Sequence, residues 1–203
     1  MNQRTLAVVS AGLSQPSSTR LLADQIAAAA VQKAADSDIE LSVRVIELRD
    51  LAHDIANHLL TGFPPAALKE ALDAVESADA LVAVTPIFTA SYSGLFKSFV
   101  DVLDKDAVAG KPVLIAATAG TARHSLSLEH ALRPLFAYLR ATVVPTAVFA
   151  ASDDWGADSA DGTLRSRIDR AAGELAREIS RRDPVSVLDP FALTVSFEDL
   201  LNP

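Results

Sequence analysis

The first segment that could do chemistry is SAGLSQPSSTR, residues 10–20, which leads into a stretch rich in alanine and leucine. Its serines and threonine can donate hydrogen bonds to phosphate oxygens, and the start of a helix adds free amides and the favourable end of the helix dipole. A single serine would be enough to cap that helix, so a polar surface loop is the simpler alternative. The segment contains neither the GxxxxGK(S/T) nor the GxGxxG pattern. This favours one terminal phosphate, as on FMN, over a nucleoside triphosphate or a dinucleotide.

The second segment, TPIFTASYSGLFKSF at residues 85–99, carries apolar and aromatic side chains where a loop is usually polar. We expect Pro86 to end a strand, with Ile87, Phe88 and Tyr92 displayed beyond it. Such side chains can lie against a planar ring, and the amides of the loop can reach the polar edge of that ring. The alternative is a loop buried under a neighbouring element or under a second subunit.

The third segment, ATAGTARHSL at residues 117–126, places Thr118, Gly120 and Thr121 after another apolar run and just before a predicted helix. Their backbone amides could stabilise negative charge on the pyrimidine edge of a reduced flavin. His124 has no partnered carboxylate or thiol beside it, so we interpret it as a structural or solvated residue. No Ser-His-Asp or paired-carboxylate arrangement stands out, and we assign no catalytic acid or base.

Each of these segments follows one of five short apolar runs that alternate with helical patterns. The predicted strands are Thr5–Ser10, Leu41–Ile46, Ala80–Val84, Val113–Thr118 and Val143–Phe149. The predicted helices are 18–35, 64–77, Ser93–Leu103, Ser125–Arg140 and Leu164–Arg181, and 47–62 fits either a short helix or an ordered loop. The alternation predicts an α/β fold, a flavodoxin-like three-layer sandwich with a five-stranded parallel sheet of order 2-1-3-4-5. In that order, ligands bind beyond the first, third and fourth strands.

Composition limits the classes of function. The chain has 203 residues, half of them apolar, and a formal net charge of −8, which argues against binding to nucleic acid. It has no cysteine, and His53 and His58 lack ligand spacing with carboxylates, so we expect neither a disulfide nor a metal site. The apolar runs are too short for a membrane span or a typical signal peptide. We therefore predict a cytoplasmic protein.

The alternating pattern fits one flavin-binding domain, residues 1–183. The remaining residues, 184–203, do not continue the pattern, yet they include Phe191 and Phe197 and are too apolar for a free tail. We expect this tail to pack on the domain or on a partner subunit.

The chain resembles the NADPH-dependent FMN reductase family over roughly residues 4–150, through SAGLSQPSSTR, TPIFTASYSGLFKSFVDVLD and ATAGTARHSLSLEHALRPLF in this order. The likeness is to flavin reductases that supply reduced flavin to two-component monooxygenases. It implies that the FMN phosphate is held by Gly12, Ser14, Ser17 and Thr19, the ring by Pro86, Ile87, Phe88 and Tyr92, and its polar edge by Thr118, Gly120 and Thr121. Two departures stand out. Ser14 replaces a frequent arginine, and Phe88 replaces a frequent tyrosine.

This resemblance implies an NAD(P)H:FMN oxidoreductase that uses FMN with NADPH or NADH. It also implies a homodimer or homotetramer, with a flavin-dependent monooxygenase as a possible partner. Hydride transfer to a flavin depends on positioning more than on side-chain acids and bases. Three alternatives stay open: a quinone or azo reductase with tightly bound FMN, a non-enzymatic flavodoxin-like electron carrier, and a protein that binds a partner through its tail without flavin.

Overall fold

Buried aliphatic runs form the strands of the computed structural model, which describes residues 2–155 and 163–185. The strands are β1 (Asn2–Ser10), β2 (Ile39–Glu47), β3 (Ala80–Phe88), β4 (Ser91–Tyr92), β5 (Pro112–Ala119), β6 (Thr142–Val143) and β7 (Val148–Ala151). The α-helices are α1 (Ser18–Ala35), α2 (Ala52–Thr61), α3 (Ala66–Ser77), α4 (Gly94–Asp101), α5 (Arg133–Tyr138) and α6 (Thr163–Ser180). Short 3-10 turns cover Leu48–Leu51, Ala122–His124 and Ser152–Trp155, and a π-helix covers Leu128–Leu132.

The main sheet is parallel and runs in the order β2-β1-β3-β5, with both β6 and β7 paired to β5. When β6 and β7 are counted as one interrupted strand, this is the predicted order 2-1-3-4-5, which is confirmed. The two-residue strand β4 turns back antiparallel to the end of β3. The element order and the sheet are those of a flavodoxin-like fold.

Two apolar layers enclose the sheet. On one face, α1 and α6 pack against alternate residues of the strands, with Leu22, Ile26 and Leu175 fully buried. On the other face, α2 to α5 pack around Phe96 and Phe136. Because both faces are covered, the central strands are apolar throughout, which is why they read as continuous runs in the sequence.

The fifth predicted strand, Val143–Phe149, is interrupted in the structure. Pro145 has no N–H to donate to a sheet ladder. The carbonyl oxygens of Val144 and Pro145 each accept a hydrogen bond of 3.1 Å from the Arg133 guanidinium. The Thr146 N–H donates to a Glu174 carboxylate oxygen at 2.7 Å. Side chains therefore replace the missing strand partners between β6 and β7.

The predicted helix Ser125–Arg140 is largely helical in the structure, but it is not one regular α-helix. The structure has the π-helix Leu128–Leu132 followed by α5, and the N–H of Arg133 donates to the carbonyl of Leu128, five residues earlier. In a regular helix the ring of Pro134 would meet the carbonyl four residues before it. The wider π turn accommodates this proline.

The ambiguous segment 47–62 forms the 3-10 turn Leu48–Leu51 and then α2. Gly62 ends α2 in a left-handed conformation, with φ of 77°, and its N–H donates to the carbonyl of His58 at 2.8 Å. Within the described ranges, no helix combines the length and the apolar character needed to cross a bilayer. Most of the predicted tail, residues 186–203, lies outside the described residues.

Candidate functional site

The three segments singled out in the sequence meet at one edge of the sheet. Ser10 at the end of β1 lies opposite Val84 of β3, and Pro86 of β3 lies opposite Thr118 of β5. The loop after β1, the β3–β4 hairpin and the loop after β5 therefore begin side by side at the carboxyl ends of their strands. This edge is where open α/β sheets bind their ligands.

The loop after β1 folds closely against the first turn of α1. Ser17 caps this helix, and its Oγ accepts a hydrogen bond from the Arg20 N–H at 3.2 Å. A Cβ atom on Gly12 would lie 2.0 Å from Ser17 Oγ and 3.1 Å from Thr19 Cβ, so this path of the loop requires glycine. The Ser17 hydroxyl keeps its own proton to donate, and Ser14 is exposed in the same loop.

Thr19 and Thr118 were predicted to contact different parts of a flavin, and the structure places them against each other. Their hydroxyl oxygens lie 2.8 Å apart in a buried hydrogen bond between the first turn of α1 and the end of β5. The two side chains are only 3% and 4% exposed. One hydroxyl proton is used inside the pair, so the pair can donate one proton to a ligand rather than two.

The arginine of the first loop is occupied by carboxylates. Arg20 Nε donates to Asp24 at 2.8 Å, and its guanidinium also pairs with Glu47 at the end of β2. The hydrogen bond that Arg20 donates to Asp24, with a further contribution from Glu47, raises the pKa of Arg20. An anion in this loop would therefore depend on hydroxyls and amides more than on Arg20.

The second segment forms a hairpin, and β3 continues through Pro86 to Phe88. The prediction that Pro86 ends the strand is wrong, because the ladder with β1 already ends at Val84 and Pro86 has no need to donate on that side. Thr89 and Ala90 form the turn with φ of 49° and 71°. Neither residue is the glycine or asparagine usual at such a turn, so the sequence carries no signal for it.

The hairpin presents an aromatic surface. Phe88 is 48% exposed, whereas Pro86 and Ile87 are buried beneath it in β3. Tyr92 is half-buried and packs against Phe96, with 6.0 Å between the ring centroids. Phe88 and Tyr92 are thus the side chains of this group most available to a planar ring.

The third loop is tied to the hairpin. Ser127 Oγ donates to the carbonyl of Ala90 at 3.2 Å. Gly120 is exposed and Thr121 half-buried, and the Thr121 hydroxyl accepts a hydrogen bond from the Arg123 N–H at 3.4 Å. The Ser127 contact was missed by sequence reasoning, because a hydrogen bond between residues 37 positions apart leaves no local pattern.

An unpartnered hydroxyl lies below the loops. Ser10 is 1% exposed, and its Oγ has no hydrogen-bond partner among the described residues. A buried polar atom without a partner is costly, and a ligand that pairs with it is one explanation for such an atom. Together with the crowded Gly12 and the helix start, this polar atom fits an edge built to hold a phosphorylated ligand. In the described part of the chain, no three His, Asp or Glu side chains are grouped as a metal site would require.

The fold and loops have counterparts among known proteins. The family profile described as NADPH-dependent FMN reductase matches residues 4–156. An FMN reductase (NADPH) of Pseudomonas aeruginosa is 40% identical over 147 residues, which cover 72% of this chain and 76% of the relative. The NADH-dependent FMN reductase SfnE of Pseudomonas putida is 37% identical over 170 residues, which cover 84% of this chain and 87% of the relative.

A solved structure agrees with these sequence matches. The crystal structure of an oxidoreductase from Corynebacterium diphtheriae superposes with a TM-score of 0.86 at 50% identity. The match covers 90% of this chain and the whole of the other. The family profile, at residues 4–156, includes all three loops.

Proposed function

The chain belongs to the NADPH-dependent FMN reductase family, and from this premise we propose that its three loops bind FMN at the carboxyl edge of the sheet. It is an NAD(P)H:FMN oxidoreductase, with FMN and either NADPH or NADH as cofactors. One observation carries the assignment of the site. A hydroxyl-rich helix start and an exposed aromatic hairpin lie side by side at that edge.

The loop after β1 is proposed to hold the phosphate. Ser14 and Ser17 supply hydroxyl donors, Gly12 lets the loop close, and the first turn of α1 supplies amides and its dipole. No arginine stands at position 14 to add a fixed charge. We therefore expect modest phosphate affinity, which suits a flavin that is bound and released in each cycle.

The hairpin and the loop after β5 are proposed to hold the ring. Phe88 and Tyr92 provide apolar area for its face, and the backbone around Gly120 and Thr121 provides amides for its pyrimidine edge. Gly120 has open space around its Cα, so the backbone there can be approached closely. Pro86 and Ile87 form the buried support below the ring.

Bound FMN supplies a ring that accepts hydride from a nicotinamide and passes electrons on. The residues of this chain need only hold the ring with one face open and exclude part of the water around it. This explains why an acid–base pair is not required at the site. His124, half-buried in the 3-10 turn Ala122–His124, takes no part in the proposed reaction.

We further propose that the protein supplies reduced flavin to a monooxygenase. The support is the likeness of the three loops to flavin reductases of two-component systems, together with a phosphate loop whose arginine, Arg20, is already paired with carboxylates. A quinone or azo reductase of the same fold would instead keep its FMN tightly bound. The family match disfavours a flavodoxin-like electron carrier and a flavin-free binding protein.

A cytoplasmic homodimer or homotetramer is also proposed. The domain exposes large apolar side chains, among them Leu60 at 87% and Tyr138 at 81%, that a subunit contact could cover. The tail after residue 183 is proposed to join such a contact or to pack on its own domain. Sedimentation measures the oligomeric state of the full chain. The same measurement on a chain that lacks the tail tests whether the tail joins the subunit contact.

Nicotinamide oxidation in air tests the proposed function. The purified full chain is given NADPH or NADH, each with and without free FMN. Oxidation that requires added FMN and saturates with it supports the flavin-supply role. A protein that is purified yellow and reduces a quinone without added FMN would instead be a bound-flavin reductase. A protein that shows no activity and does not bind FMN would contradict the enzyme assignment.

A further inference from the structure

We propose that the Thr19–Thr118 hydrogen bond is a positioning link that sets the phosphate loop relative to the loop at the ring edge. The inference rests on the proposed FMN site. It replaces the simpler expectation that each threonine contacts the flavin on its own. The link joins residues 99 positions apart through hydroxyls 2.8 Å from each other.

The location of the pair makes it suited to this role. Thr19 lies in the first turn of α1, next to the Ser17 cap, and so moves with the phosphate loop. Thr118 is the penultimate residue of β5, two residues before Gly120, and lies opposite Pro86 of the hairpin strand. A single hydrogen bond therefore connects the start of α1 to the strand that bears the third loop.

The surroundings of the two threonines keep water away from the hydrogen bond and hold both residues in place. Both threonines are almost fully buried, so water does not compete for their hydroxyls. Gly12 lies at the same corner, where an added Cβ would approach Thr19 Cβ to 3.1 Å, so the phosphate loop and Thr19 are in close contact. The sheet fixes Thr118 on the other side through its pairing with Ala150 of β7.

The hydroxyl count gives a distinctive expectation. Loss of either hydroxyl breaks the link and leaves the other group buried without its partner. Loss of both hydroxyls removes the same single hydrogen bond, and it leaves two apolar side chains that can pack together. If the pair is a positioning link, the effects of the two mutations on FMN affinity are therefore not additive. In the double variant, stability should partly recover while FMN affinity stays weak.

The experiment compares the full chain with T19V, T118V and the double variant, and with T19S and T118S as controls that keep the hydroxyls. FMN dissociation constants are measured by flavin fluorescence without nicotinamide, and unfolding midpoints are measured on the same samples. Each valine variant should raise the FMN dissociation constant about 10-fold, and the double variant by the same factor rather than about 100-fold. The serine variants should stay within about 3-fold of the wild type.

Stability provides the readout that separates positioning from folding. The single valine variants should unfold at lower temperature, and the double variant should recover part of the loss while its FMN affinity stays weak. If the double variant recovered FMN affinity together with stability, the pair would be purely structural and the proposal would be wrong. Multiplied losses in the double variant would show two independent flavin contacts and also overturn it. Wild-type protein that binds FMN without oxidising NADPH or NADH would count against the proposed function and leave this result standing.

Discussion

The two edges of the sheet differ in how far their polar groups are paired by hydrogen bonds within the chain. At the amino edge, the Thr5 N–H donates to Asp79 at 2.7 Å, and the Val185 N–H donates to the other oxygen of the same carboxylate at 2.9 Å. Arg4 donates to the Arg182 carbonyl at 3.0 Å. At the carboxyl edge, the Ser10 hydroxyl has no partner among the described residues, and Ser14 and Gly120 are exposed.

Lys111 shows the amino-edge pattern most clearly. Its buried Nζ donates to the carbonyls of Val75 and Glu76, at 2.5 and 2.8 Å, and so satisfies the last turn of α3. The charged groups at this edge form their hydrogen bonds within the chain. At the carboxyl edge, Arg20 is paired with Asp24 and Glu47, and the hydroxyls of Ser10, Ser14 and Ser17 keep hydrogen-bonding capacity for a ligand. The comparison predicts that stability and FMN binding respond to mutations at different edges.

The largest effect on FMN is expected from Gly12→Ala. Its new Cβ would displace the Ser17 hydroxyl, which opens the phosphate loop and weakens the helix cap. The KM for FMN should rise about 50-fold, with kcat much less affected. The matched control is Gly173→Ala in α6, where a Cβ has no atom within 4 Å. Equal KM values for the two variants would contradict the account of this loop.

Lys111→Met should lower stability and leave FMN binding nearly unchanged. Removing the ammonium group leaves two buried carbonyls of α3 without a donor, so the free energy of unfolding should fall by about 2 kcal/mol. The KM for FMN should stay within about 2-fold of the wild type in protein that is still folded. Urea denaturation and steady-state kinetics measure the two quantities. A large change in the KM for FMN in the folded variant would contradict the claim that stability and FMN binding depend on different edges of the sheet.

The same lysine makes stability depend on pH. Burial lowers the pKa of Lys111 to about 8, against the opposing effect of Asp79 and Glu76. Above this value the folded chain releases a proton that the unfolded chain still binds, up to the ordinary lysine pKa near 10.5. The free energy of unfolding of the wild type, relative to Lys111→Met, should therefore rise between about pH 8 and 10. Urea titrations of both proteins across this range check the sign, and a falling difference would contradict it.

Ser17→Ala should affect both properties moderately. It removes a hydroxyl proposed to donate to the phosphate, which should raise the KM for FMN about 10-fold. It also removes the N-cap of α1, at a cost of about 1 kcal/mol in unfolding free energy. Ser18→Ala, one residue along and exposed, is the control and should change neither by a measurable amount. If the two variants behave alike, the phosphate is not held at Ser17.

Phe88→Ala should have the smallest effect. Its half-exposed ring is proposed to lie against the flavin, and such aromatic contacts correspond to a rise in KM of about 5-fold. Phe63→Ala removes an exposed aromatic ring from the segment after α2 and should leave the KM for FMN unchanged. Flavin fluorescence titration of both variants checks the difference. An effect of Phe63 as large as that of Phe88 would show that the hairpin is not the ring site.

The sequence predicted the strands and their order because buried parallel strands leave uninterrupted apolar runs. It also predicted that three loops meet at the carboxyl edge, since this fold brings the ends of those strands together. The break around Pro145 was missed, because it depends on Arg133 and Glu174 supplying the absent strand partners. The hairpin turn at Thr89 and Ala90 was missed because neither residue type signals a positive φ.

The limits at the site itself have a different physical origin. Residue types placed Thr19 and Thr118 at the carboxyl edge of the sheet, but they could not show that the two hydroxyls satisfy each other. The same applies to Arg20, whose carboxylate partners come from the next turn of α1 and from β2. Such pairings depend on distances between remote segments, and only the folded structure provides them.

A crystal structure of the full chain with FMN tests the central claim most directly. The account predicts the phosphate at the start of α1, beside Ser14 and Ser17, and the ring between the β3–β4 hairpin and the loop after β5. Flavin bound at the amino edge, around Asp79 and Lys111, or on another face of the domain would contradict it.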